Sequence, residues 1–140
     1  MGIAQRYVEA AELIVTVWDG SIVAEDWIES SRAQATDPNW SPSRKRLTDV
    51  SSADTSGLVA ADVQAVTGLY RDAHTAMSGL RLAIVASAAW ELARETERLF
   101  DPLGVNTIVF TQVPTACTWL GVDSALVLPV IVELREQLRR

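Results

Sequence analysis

The chain has 140 residues, 49% hydrophobic and 21% charged, with a formal net charge of -6. That length fits one domain whose apolar core needs no disulfide or metal to staple it. The single cysteine and single histidine exclude an internal disulfide, structural Cys/His zinc sites and multi-histidine zinc sites, and the acidic balance argues against nonspecific nucleic-acid binding, which uses clustered lysine and arginine.

Residues 1–11 contain Gln5, Arg6 and Glu9 and lack the apolar stretch of a signal peptide. The longest apolar run, residues 125–132, is far shorter than the ~20 residues a membrane span needs. A soluble, cytoplasmic protein without metal or cofactor is expected.

Hydrophobic periodicity then divides the chain. Residues 3–8 read as a short edge strand. Residues 13–18 are β-branched and aromatic and stop at Asp19-Gly20, a strand followed by a turn. The short link between them predicts an antiparallel hairpin. Residues 24–35 read as a helix that turns Trp27, Ile28 and Ser31 inward and places Glu25 and Asp26 at its positive N-terminal end. Residues 36–43 are a loop with two prolines, in which Trp40 plugs the core edge.

Residues 45–50 form a strand whose apolar members are Leu47 and Val50. Arg44-Lys45-Arg46 is read as a solvated flank of that strand. A polar loop, residues 51–57, precedes a long helix, residues 58–77. Val59, Val63, Val66, Tyr70, Ala73 and Met77 make its buried stripe, and Ser56 or Asp54 caps it. Residues 80–86 are almost continuously apolar, as in a central parallel strand.

A helix over 88–100, a strand over 105–111 and a short helix over 115–120 follow, the last behind Pro114 and ending at Gly121. The segment 123–140 is helical at least from Pro129, with a stripe of Val127, Ile131, Leu134 and Leu138. The alternation predicts an α/β fold: a small, mixed, mostly parallel sheet with an N-terminal antiparallel hairpin, flanked by helices. Residues 1–122 form the domain. Residues 123–140 form an amphipathic helix that belongs to it or makes a dimer interface.

Several pieces in order carry a family resemblance. They are Val17-Trp18-Asp19-Gly20, Glu25-Asp26, Pro38 with Trp40, Arg46-Leu47-Thr48-Asp49-Val50, Leu82-Ala83-Ile84-Val85, and Val109-Phe110 with Ala116 and Trp119-Leu120. Over most of its length the chain resembles the SpoIIAA-like family of STAS-type folds. The resemblance implies a mixed sheet flanked by helices and no established enzymatic chemistry. STAS domains are regulatory, acting as anti-sigma factor antagonists or ligand binders, and some are switched by serine phosphorylation. Related folds bind lipids in a groove. Asp54-Thr55-Ser56-Gly57-Leu58 matches their Asp-Ser-Ser-Gly-Leu type motif, so the resemblance implies Ser56 as phosphoacceptor in a switch loop of Asp49, Ser51, Asp54, Thr55 and Gly57. Asp49 lies closer to this motif than in typical members.

The remaining chemistry is sparse. No Gly-x-Ser-x-Gly elbow, Walker loop or Gly-x-Gly-x-x-Gly occurs. His74 is 18 positions from Ser56, about 27 Å along a helix, too far to share a proton. Cys117 reads as core packing. Glu25, Asp26, Asp49 and Asp54 are acids whose mutual reach the sequence does not define.

Trp90, Thr55 and Thr111 fall beyond strand C-terminal ends, where open α/β sheets hold ligands, and make a candidate groove. The apolar run at 125–132 exceeds one buried stripe, so Val127, Leu128, Ile131 and Leu134 make a candidate homodimer interface. The resulting expectation is a non-enzymatic regulatory or binding module. Its partner is another protein or a small apolar ligand, with a lipid carrier and a Ser56 switch as alternatives.

Overall fold

The first two strands, β1 (Ile3–Val8) and β2 (Leu13–Ser21), pair antiparallel, Ile3 opposite Trp18 and Val8 opposite Leu13. This computed structural model describes residues 2–35, 45–73 and 79–140. One turn of 3-10 helix, Glu9–Ala11, joins the two strands. The chain continues through α1 (Ala24–Ala35), β3 (Lys45–Asp54), α2 (Ala60–Ala73), β4 (Arg81–Val85), α3 (Trp90–Phe100), β5 (Asn106–Phe110), α4 (Val113–Leu120) and α5 (Ser124–Leu138). The sheet order is β1-β2-β3-β4-β5, and every pairing after the first is parallel. The mixed, mostly parallel sheet read from the sequence is therefore the fold of the chain.

Side chains alternate across each strand, and the two faces collect separate cores. On one face Trp18, Val50, Leu82 and Ile84 meet Trp27 of α1, Val63, Val66 and Tyr70 of α2, and Ala93 and Phe100 of α3. On the other, Leu13, Val15, Val17, Leu47, Ala83 and Val85 meet Ala116, Cys117 and Leu120 of α4 and Val127, Ile131 and Leu134 of α5. The middle strand by order is β3, not β4. It buries an arginine and an aspartate, Arg46 and Asp49, on opposite faces of the sheet.

Several boundaries differ from the sequence reading. Asp19-Gly20 is not a turn. A register shift between Val17 and Asp19 lets β2 continue, pairing Asp19 with Ser52, Gly20 with Ala53 and Ser21 with Asp54. Asp49, Ser51 and Asp54, expected in a switch loop, consequently lie in β3, while Thr55 and Gly57 follow it. These polar ends pair through their backbones, which no side-chain pattern announces.

The second helix begins at Ala60, and Val59 is exposed. Its first turn is satisfied from within, where Asp62 Oδ2 accepts the Val59 N–H at 2.8 Å. The last helix begins at Ser124, where Asp123 Oδ1 accepts the Ala125 N–H, and it passes through Pro129 unbroken. Pro129 and Ala125 both lie on the exposed side, so the carbonyl that loses its helical donor faces water. Gly121, at φ +71, ends α4 by turning left-handed while the Val122 N–H reaches Cys117 O. Trp40, His74 and Met77 lie outside the described residues.

Candidate functional site

A cavity of about 70 Å³ lies between the sheet and helices α1, α2 and α3. Since one water needs about 10–15 Å³ of such space, a molecule of several heavy atoms fits. Its apolar wall includes Trp18, Trp27, Val66, Leu82, Ala93 and Phe100. Aromatic edge-to-face contacts brace that wall, Trp18 against Trp27 at 5.2 Å and Tyr70 against Phe100 at 5.8 Å.

The polar wall comes from three elements. Gln34 ends α1, Arg46 opens β3 and Tyr70 sits on α2. Arg46 is only 6% exposed. Its Nη1 donates to Gln34 Oε1 and lies 3.4 Å from Tyr70 Oη. Tyr70 Oη also donates to Gln34 Oε1 at 2.8 Å, and Gln34 Nε2 donates to Thr16 Oγ1 at 3.2 Å. The guanidinium carbon stands 5.8 Å from the Tyr70 ring centre, within cation–π range. The cavity thus combines apolar surface with a cationic head held against Gln34 and Tyr70.

Sequence reasoning missed this constellation because it treated Arg46 as part of a solvated basic flank. Strand parity contained the signal. Arg46, Thr48 and Val50 share one face of β3, and in a middle strand covered on both sides that face is interior.

The anticipated groove of Trp90, Thr55 and Thr111 is not this cavity, whose lining includes none of the three. Trp90 is the first residue of α3 and is exposed, with the Arg94 guanidinium 5.3 Å from its ring centre. Helical geometry turns its neighbours Ala89, Leu92 and Ala93 toward the cavity instead.

Ser56 is exposed in the turn between β3 and α2, four positions before the helix starts. Asp54 Oδ1 accepts the Ser56 N–H at 3.0 Å. Hydrogen bonds from the Ser56 hydroxyl and N–H hold the Asp54 carboxyl below its ordinary value. Asp49 and Ser51 are occupied with each other, since Asp49 Oδ1 accepts both the Ser51 N–H and the Ser51 hydroxyl.

Cys117 is 1% exposed, and burial, then the Asp123 charge, push its thiol up, opposite to an activated nucleophile. Among the described residues, no three His, Cys, Asp or Glu side chains gather as a metal set, and no helix is long and apolar enough to cross a membrane.

Neither protein-family models nor curated proteins yield a match to the chain.

The expected interface on the last helix is divided. Val127, Ile131 and Leu134 are 0%, 3% and 2% exposed and belong to the core that α5 closes over β1 and β2, whereas Leu128 is 41% exposed. The stripe spacing of 127, 131 and 134 is what seats the helix on the sheet. Leu126, Leu128 and Val132 point away from it and remain exposed.

Proposed function

We propose that the chain is a non-enzymatic binding module that takes a small, mainly apolar ligand with an acidic end in the cavity beside Arg46. The buried guanidinium at an apolar cavity wall carries this reading. It brings a fixed cationic donor to whatever enters the cavity, beside the aromatic and aliphatic wall. A guanidinium matches a carboxylate in charge and in its paired N–H geometry. The Gln34 and Tyr70 contacts hold it ready, which lowers the ordering cost of binding. The small volume favours short ligands, and longer chains require α1 to α3 to move apart.

A phosphorylation switch at Ser56, as the SpoIIAA-like resemblance implies, has less support. Asp54 already accepts from Ser56, and phosphate there would face the Asp54 and Asp62 carboxylates.

The test uses Trp18 and Trp27, which line the cavity and report its occupancy by fluorescence. Titration with straight-chain monocarboxylates from acetate to octanoate is expected to give a saturable change, strongest for the shorter members. Matching alcohols should be weak, and Arg46→Met should lose the preference for acids. Native mass spectrometry of protein from its own host is expected to show a small bound acid. Unliganded mass together with no saturable fluorescence change sinks the reading.

A further inference from the structure

The outer edge of β5 carries the most specific unassigned surface. Among the described residues β5 pairs with β4 alone. The Asn106 N–H bonds Leu80 O, and Phe110 O accepts the Ala86 N–H. Residues 106, 108 and 110 therefore face β4, and Thr107 and Val109 direct their N–H and C=O outward. An open edge of this kind is a template for another strand. Proteins that keep an edge unpaired place lysine, proline or a bulge on it. Asn-Thr-Ile-Val-Phe contains no charge and no proline.

Ile108, at the centre of the strand, is 40% exposed. An open groove of about 690 Å³ runs along the edge, bordered by Ile108 and Trp119 on one side and by α3 on the other. The α3 side presents Arg94, Glu97, Arg98 and Asp101. Their spacing of three, four and seven puts them in one row. Read in order, the charges are plus, minus, plus, minus. Read in reverse, each position carries the opposite sign.

We propose that β5 is the seam of a symmetric homodimer, in which a second copy of the chain extends the sheet across this edge. A twofold axis at Ile108 sets the two β5 strands antiparallel. Thr107 of each copy then exchanges both backbone hydrogen bonds with Val109 of the other. Ile108 meets its own counterpart in the closer, non-hydrogen-bonded pairing, which covers its exposed side chain. The same axis reverses one α3 against the other. Arg94 then faces the second copy's Asp101, and Glu97 faces its Arg98. The ion pairs that Arg94 and Arg98 make within their own helix, with Glu97 and Glu95, are exposed and exchange at little cost. A single surface that complements itself is what a twofold contact requires.

Sedimentation velocity over a hundredfold range of concentration tests the proposal. The unaltered chain is expected to dimerise. Ile108→Lys should weaken the dimer about a hundredfold while circular dichroism stays unchanged. Arg94→Glu should weaken it about tenfold by setting like charges opposite each other, and adding Asp101→Arg should restore it. Val132→Glu, on the outer face of α5, should leave it intact. A monomer at every concentration overturns the proposal, as does a dimer that survives Ile108→Lys or one that is lost in Val132→Glu alone.

Discussion

Arg135 of α5 donates from Nη2 to Asp49 Oδ2 of β3 at 2.9 Å, joining residues 86 positions apart. The Asp49 side chain is 3% exposed, and its other oxygen is taken by Ser51. Arg135 also donates from Nε to Ser52 Oγ at 3.1 Å. This pair lies on the face opposite Arg46, so the middle strand anchors one helix layer through a carboxylate and the other through a guanidinium. Replacing Asp49 with alanine strands the arginine and leaves the Ser51 donors without their acceptor. A loss of about 3 kcal/mol is expected, measured by urea unfolding. A loss below the uncertainty of the extrapolation contradicts this account.

Arg139 grips Asp19 with two hydrogen bonds of 2.9 Å, Nε to Oδ2 and Nη2 to Oδ1. That contact holds the Asp19 carboxyl below its ordinary value of 3.8, against an opposing effect of burial. A carboxyl depressed on folding contributes stability that is present above its unfolded value and lost as pH falls through its folded value. Stability should therefore decline below about pH 4, and Asp19→Asn should flatten part of that decline. Arg139 is largely exposed, so salt should shrink the effect. Asp54 and Glu95, also held low, account for a remainder that Asp19→Asn leaves untouched.

The division of the last helix has its own measurement. Leu134→Ala opens a cavity in the core between α5 and the sheet and should cost about 3 kcal/mol. Leu128→Ala, on the outer face, should cost less than about 0.5 kcal/mol. Equal losses would mean that the helix is seated in another rotation. Deleting residues 124–140 is not a clean interface test, because it strips the cover from Leu13, Val15, Val17 and Leu47.

The thiol of Cys117 offers a probe of opening. Buried and with its pKa raised, it should react with an aromatic disulfide reagent only as fast as α4 or the whole domain opens. The rate should rise steeply with urea. Fast labelling in native buffer would show that α4 does not cover the thiol.

Much of the architecture was legible because it rests on local periodicity. The strand at 3–8 and the helix at 24–35 have the bounds that their apolar spacing predicts. Residues 19–21 and 51–54 were not legible as strand, since they are polar and held by backbone pairing across a bulge. The stripe of Val127, Ile131 and Leu134 was legible from its helical spacing, but that it seats on the sheet while Leu128 stays exposed was not, since the spacing names a face and not what covers it. The cavity wall was hidden for a different reason. Arg46, Gln34 and Tyr70 are brought together across separations of 12, 24 and 36 positions, and no local motif records such a meeting.

The placement of α5 has a consequence for biosynthesis. The helix covers β1 and β2, which leave the ribosome before it does, and Arg6 pairs with Glu133 across 127 positions. Until residues 124–138 have been made, Leu13, Val15 and Val17 line an uncovered apolar face. The nascent chain then carries its hairpin open-sided until α5 has emerged, an interval in which chaperone binding competes with self-association. Closure comes as one late docking event, and a stalled chain lacking α5 presents that face as a ready signal for quality control.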